Sequence, residues 1–215
     1  MKRPGIQYVL LLFTLMALLA GCSNPADDTA PAVVTEPEAV AHEPGGELPA
    51  GTTYVIAEGT TVGFTGSKVT GSHDGGFNDF NGEIVLVDGD PAASRVEFTI
   101  DTTSLWSDNE KLTGHLKSPD FFDVETYPTA EFSSSEIVAA DQGFEVTGIL
   151  TLHGVPQQIT FPAMIQVVDG MVNATAEFSI MRFDFGIEYP GMKDNLIRDE
   201  VVIRLDITAT EQAGI

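Results

Sequence analysis

The sequence predicts an all-β domain of about eight antiparallel strands, interrupted once by a short helix and loop near residues 108–128. Three observations predict it. Apolar and polar residues alternate with the period of a half-buried strand, most clearly at Val96, Phe98 and Ile100 and again at Val201, Ile203, Leu205, Ile207 and Ala209. Turn residues separate the alternating runs, at Asp88-Gly89-Asp90-Pro91 and at His153-Gly154. No strand–helix–strand alternation appears, so the strands should pair antiparallel.

The elements follow in order. Tyr54 and Ile56 alternate with polar positions, and so do Val62, Phe64 and Gly66. Phe77 to Leu86 reads as one strand, and Val96 to Ile100 as another with Arg95, Glu97 and Thr99 outward. After the helical stretch come Ala130, Phe132 and Ser134, then Phe144 to Leu152, Gln157 to Phe161 and Met164 to Val168. Val172, Ala174, Ala176, Phe178 and Ile180 alternate strictly, and the last strand turns Arg204, Asp206, Thr208 and Thr210 outward. Gly63, Gly66, Gly82 and Gly148 lie inside strands, where they suit the bends of a closing sheet. A closed barrel and a sandwich both fit this periodicity. A barrel of about eight strands is either filled by side chains or holds one small ligand.

The stretch from Asp108 to Phe132 breaks the pattern. Asp108 is read as the cap of a helix that carries Leu112 and Leu116 on one face, and Pro119 should end it. Phe121 and Phe122 follow, flanked by Asp120 and Asp123. Adjacent residues point apart, so one ring should serve the core and the other, Phe122, the interior. Helix and loop together should cap or plug the β-structure.

The first fifty residues have another character. Lys2 and Arg3 precede a thirteen-residue apolar run, Tyr8 to Ala20, too short for the roughly 20 residues of a spanning helix. This is the composition of a secretory signal over residues 1–21. Leu19-Ala20-Gly21-Cys22 resembles the lipobox of bacterial lipoproteins, which implies a diacylglycerol on Cys22, the only cysteine, and palmitate among its acyl chains. Residues 22–50 read as a flexible tether, with five prolines, six acids and no Lys or Arg between Ser23 and Ala50. As a coil it would span about 30 Å. Ser23 after the cysteine implies, by the same resemblance, the outer membrane facing the periplasm in a cell that has one. Residues 51–215 are one domain.

The chain carries 10 basic and 32 acidic residues, a net charge of −22. Removal of residues 1–21 takes Lys2 and Arg3 and no acid, leaving 8 basic residues and a charge of −24. This excludes nucleic acid, whose phosphates need Lys and Arg, and disfavours direct docking on anionic lipid. A homodimer is left open.

Three blocks in order carry a family resemblance. They are His115-Leu-Lys-Ser-Pro-Asp-Phe-Phe-Asp through Phe132, Gly148-Ile-Leu-Thr-Leu-His-Gly-Val through Phe161, and Arg182-Phe-Asp-Phe-Gly. With Thr61-Val-Gly-Phe64 as an opening strand, they resemble the YceI-like family of secreted polyisoprenoid-binding proteins over about residues 53–210. The resemblance implies a lipocalin-like antiparallel β-barrel and non-enzymatic binding of an isoprenoid or other long-chain amphiphile in an apolar channel. No cofactor is implied. The family's Arg-Asp before His-Leu is replaced by Asn109-Glu110-Lys111, and its opening His-Ser by Thr60-Thr61, so headgroup preference could differ.

The channel residues expected on this reading are Phe64, Phe80, Phe98, Ile100, Phe132, Leu150, Leu152, Phe161, Phe178, Phe185 and Ile203 from the strands, with Leu112, Leu116, Phe121 and Phe122 from the plug. Trp106, beside the plug, should sense a ligand. Two rivals stand: a structural or adhesive sandwich with a filled core, and a lipid-acting enzyme using His115 and Asp120. His73, His115 and His153 have no metal-site spacing, and His115 and His153 are read as partners of backbone groups in turns. Asp88-Gly-Asp90 and Asp108-Asn-Glu110 match no calcium loop, and no Gly-x-Ser-x-Gly elbow is present.

Overall fold

The computed structural model describes residues 24–37, 49–192 and 195–212. The expected signal segment and Cys22 lie outside them. The strands are β1 (Val33–Thr35), β2 (Thr52–Ile56), β3 (Thr61–Lys68), β4 (Gly71–Phe77), β5 (Phe80–Val87), β6 (Asp90–Asp101) and β7 (Leu105–Ser107). After helix α1 (Glu110–Leu116) come β8 (Thr129–Ala139), β9 (Phe144–Leu152), β10 (Val155–Val168), β11 (Met171–Met181), β12 (Gly191–Met192) and β13 (Asn195–Glu211).

The strands close into one antiparallel barrel of eight staves. Three staves are broken in the middle: β2 runs on into β3, β4 into β5, and β6 into β7. The meander then continues through β8, β9, β10 and β11 to β13, which closes the ring on the first stave by pairing Ile56 with Ala209 and Phe64 with Ile203. The filled sandwich is thereby ruled out. The single strand expected from Phe77 to Leu86 is two, interrupted at Asn78-Asp79, where both backbone amides turn to Ser104 Oγ instead of a neighbouring strand. β4 escaped the periodicity because Gly71, Gly75 and Gly76 leave it little side chain to alternate. Gln157–Phe161 and Met164–Val168 are one strand, continuous through Pro162.

Local chemistry explains the turns and bends. At Asp88-Gly89, His153-Gly154 and Asp169-Gly170 both residues have positive φ, the signature of tight hairpins that match strand twist. Gly148 and Gly82 serve close approach: a β-carbon on Gly148 would stand 2.6 Å from Phe132 Cζ, and one on Gly82 2.8 Å from Phe98 Cδ2. Those rings lie flat over the neighbouring backbone, which a larger residue would prevent.

Helix α1 and the loop after it fill the gap where β7, paired only with β4, parts from β8. The helix cap is Asn109, not Asp108. Asn109 Oδ1 accepts from the amides of Lys111 and Leu112, both at 3.1 Å. The Asp108 carboxylate is engaged elsewhere, 2.8 Å from His73 Nδ1 and 3.3 Å from the Asp74 amide. Leu112, Leu116, Phe121 and Phe122 pack with Phe64, Leu105 and Ile187 into a cluster at this end of the barrel. Tyr54, Ile84, Leu86, Val172 and Ala209 form a separate cluster towards the opposite end.

Residues 24–37 depart from a free tether. β10 and β11 pair only from Met164 to Val168, and β1 pairs with the part of β10 that β11 has left, Val33 opposite Thr160. Pro31 bridges to Ser179 of β11, and Ser179 exchanges backbone hydrogen bonds with Ala30 and Ala32. The N-terminal segment is thus wedged between two diverging staves. Composition misread it because unpaired sheet edges, not its own apolar content, hold it.

Candidate functional site

The barrel interior holds a cavity of about 460 Å³. Its wall runs from Ile56, Ile84 and Ile207 at one end to Lys68, His73 and Arg198 at the other. Ile197 and Ile207 both line it, and the ten residue steps of strand from one to the other span roughly 30 Å. The cavity is therefore long and narrow, and almost wholly apolar.

The expected channel residues mostly converge on it. Phe64, Phe98, Ile100, Phe132, Leu150, Leu152, Phe161, Phe178 and Ile203 stand on its wall, as do Leu112, Leu116, Phe121 and Phe122 from the plug. Phe161 and Phe178 stack at 4.3 Å between centroids, one from each of the neighbouring staves β10 and β11. Two do not line it. Phe80 stacks behind Phe98 at 5.6 Å and stands beside Asn78, Asp79 and Thr129. Phe185 is 0 % exposed, in a 3₁₀ turn from Arg182 to Phe185 that ends at Gly186 with φ 72°, and it belongs to the buried cluster of Ile159, Phe161, Phe178 and Ile180 without lining the cavity itself. Alternation could not exclude Phe185, because it lies past the end of its strand.

The division of labour between Phe121 and Phe122 differs from expectation. Their rings diverge, yet both reach the cavity. Phe122 packs on Phe64 at 6.3 Å and Phe77 at 5.8 Å, while Phe121 packs on His115 at 5.0 Å and Tyr189 at 5.1 Å. Trp106 is 42 % exposed and absent from the cavity wall; its indole lies over Gly76 on the other face of the sheet.

The polar residues on the wall are few, and sequence reasoning missed most. His115 Nε2 lies 2.8 Å from Asp120 Oδ2, a carboxylate partner where a backbone partner was expected. His153 does contact backbone, with Nδ1 3.3 Å from the Phe185 carbonyl. Lys68, His73, Arg182 and Arg198 gave no signal by spacing, since they come together only when β3, β4, β11 and β13 close. Arg182 is 4 % exposed; its Nε donates to the Arg198 carbonyl at 3.0 Å and its Nη1 to that of Ile187 at 2.5 Å. Burial holds its guanidinium below the ordinary value, against the opposing pull of Asp199. Ala174 and Ala176 also line the wall, at positions that strict alternation already turned inward. Among the described residues, no three His, Cys, Asp or Glu side chains gather to hold a metal.

Comparison with known proteins agrees with this architecture. A UPF0312 protein of Pseudomonas putida is 36 % identical over 127 residues, covering 54 % of this chain and 65 % of that one. The chain thus matches somewhat under two thirds of that relative's length. A UPF0312 protein of Pseudomonas aeruginosa is 38 % identical over 91 residues, 42 % of this chain and 48 % of the other. The crystal structure of Burkholderia cenocepacia BcnA superposes with a TM-score of 0.64 at 25 % identity, over 70 % of this chain and 96 % of that one. A polyisoprenoid-binding domain from Saccharophagus degradans, implicated in plant cell wall breakdown, shares the fold with a TM-score of 0.61 at 18 % identity, over 77 % of this chain and all of that one. The YceI-like domain model matches residues 54–209, first stave to last. With that match spanning the whole barrel, the chain belongs to the YceI-like domain family.

Proposed function

We propose that this protein binds, and so carries or sequesters, an isoprenoid-type amphiphile at the cell envelope, with no chemical step. The carrying observation is the long apolar cavity of about 460 Å³ walled by the aromatic and aliphatic staves. The polyisoprenoid-binding relative supports it by fold. Burying about 400 Å² of tail contributes roughly 10 kcal/mol before ordering costs, so useful affinity needs no covalent or metal contact. His115 and Asp120 take a packing role in this reading, holding the imidazole edge-on to Phe121 and Tyr189.

Anchoring through a lipid on Cys22 belongs to the same proposal. Asn24, two residues later, is 8 % exposed, and its Oδ1 accepts from Ser67 Oγ at 3.4 Å. Ser67 lines the cavity. Two residues reach at most about 7 Å, so an anchor at Cys22 would hold the Ser67–Lys68 end of the cavity at the membrane. Cys22→Ser should abolish palmitate labelling; labelling that persists would refute the anchor.

Native mass spectrometry of protein purified without added detergent tests the binding. One lipid-sized adduct per chain, shed on delipidation and regained from isoprenoid-loaded vesicles, is expected. An unadorned chain that also takes up nothing from the vesicles would refute the reading.

A further inference from the structure

Two neighbouring staves part along most of their length. β10 and β11 pair only from Met164 to Val168 on one and from Met171 to Thr175 on the other. The rest of β10, from Val155 to Ala163, therefore faces the rest of β11, from Ala176 to Met181, with no ladder between them. That stretch of β11 makes a slit about 20 Å long. The hairpin pairs close it at one end. Gln157 closes it at the other, its Nε2 donating to the Asp184 carbonyl at 2.8 Å. The slit borders the cavity directly, since Ile159, Phe161, Ala176, Phe178 and Ile180 along its edges all line the cavity.

β1 fills the slit. It sets Val33 opposite Thr160 and Thr35 opposite Gln158 on one edge. On the other edge the Ala32 amide donates to the Ser179 carbonyl at 2.8 Å, and the Ser179 amide to that of Ala30 at 3.0 Å. Ala32 and Val34 pack on the cluster of Ile159, Phe161, Phe178 and Ile180, so one layer of side chains separates β1 from the cavity. The hold is slight. None of residues 25–35 is buried, and β1 pairs three residues with β10 where β11 pairs eleven with β13. Residues 36–51 separate β1 from β2, so β1 can leave without drawing β2 out of the sheet. Segments with few buried contacts open locally at low cost. The parting between β7 and β8 is sealed differently, by a capped helix that brings Leu116 and Phe121 into a core cluster. Separating two paired staves breaks a row of backbone hydrogen bonds; opening the slit breaks only those of β1.

We infer that the β10–β11 slit is a side entrance to the cavity and that β1 is the strap that shuts it, lifting to let a long apolar tail pass between the staves. This rests on the lipid-binding reading above. A tail that enters sideways need not be threaded lengthwise past the plug or through the barrel end. The strap governs the rate of exchange and not the affinity, because it is shut both before and after the tail enters.

The test locks the strap. Val33 and Thr160 stand directly opposite, at the separation a disulfide spans, and neither lines the cavity. Val33→Cys with Thr160→Cys is made in the full-length chain carrying Cys22→Ser, so that the new pair is alone. Uptake of geranylgeraniol from phosphatidylcholine vesicles, and its release, are timed with the pair oxidised and reduced. Oxidation should slow both about tenfold or more and leave the affinity within about twofold, and dithiothreitol should restore the rates. Val34→Asp, which sets a charge against the apolar cluster and loosens the strap, should speed both several-fold. Equal rates in the oxidised and reduced protein would overturn the side entrance and leave lipid binding standing. A lock that weakens binding without slowing exchange would make β1 a fixed part of the wall and overturn it too. A disulfide found between two chains would assign the slit to the strand of a second copy, against the strap. Binding in neither state would remove the lipid-binding reading with it.

Discussion

The ring of Phe64 lies so close over Gly75 that a β-carbon on Gly75 would overlap Phe64 Cζ and stand 2.9 Å from its Cε2. It would also meet the Trp106 carbonyl oxygen at 2.6 Å. Phe64 is part of the cavity wall and packs on Phe77 at 6.0 Å. The glycine therefore sets how far this aromatic cluster sits from the cavity axis. Gly75→Ala should cost about 1–3 kcal/mol by overpacking and lower the melting temperature by several degrees. Phe64→Leu in the same chain should recover part of the loss. A melting temperature unchanged in Gly75→Ala would contradict this packing.

The plug helix depends on a single cap. Asn109→Ala should cost about 1 kcal/mol, since its carboxamide oxygen satisfies two orphan amides of the first turn. Asn109→Asp should retain most of it. Thermal unfolding of the two variants checks this, and an Asn109→Ala protein as stable as the parent would show the cap to be idle.

Asp108 gives a pH signature instead. The hydrogen bond from His73, aided by the Asp74 amide, holds its carboxyl below the ordinary 3.8. The carboxylate thus stabilises the fold fully above its unfolded value, and that contribution is lost as pH falls through the lower folded one. The melting-temperature gap between the parent protein and Asp108→Asn should be full above the carboxyl's unfolded value of about 3.9 and shrink as the pH falls below it. A gap that stays constant over that range would contradict the assignment.

Much of this was legible in the chain because the period of two survives burial. Val172 to Ile180 and Val201 to Ala209 gave both strand and facing correctly, and three family blocks gave the fold. What was hidden shares one physical cause: it depends on partners far away in sequence. Asp108 looked like the better cap until His73 came across from β4 to claim it. The segment from Asn24 looked like coil because the free edges that hold it are formed more than 120 residues later, at Thr160 and Ser179. Arg182 stands in the sequence only as the head of a family block and Arg198 carries no motif, and the two meet only where β13 bulges between Ile197 and Val201. Of the aromatics, Phe80 and Phe185 sit beyond or behind the cavity at interruptions of the staves, where alternation no longer fixes direction.

The native tryptophan should be a poor reporter, since Trp106 lies outside the cavity wall. Phe122, on the wall and partly buried, is better placed. In a chain carrying Trp106→Phe and Phe122→Trp, geranylgeraniol should shift or quench the emission, whereas the parent protein should respond little. A strong response from Trp106 alone would mean that the sheet moves on binding.

The central claim is that the barrel holds a tail by burial. A series of isoprenyl alcohols of increasing length, titrated calorimetrically into the delipidated protein, tests it most directly. Each buried methylene contributes about 0.8 kcal/mol, so affinity should climb about tenfold or more per added isoprene unit until the cavity is full, then level off. Ala176→Trp, which fills the wall midway along β11, should bring the plateau to a shorter tail. Affinity that ignores tail length, in the parent and in Ala176→Trp alike, would contradict the account.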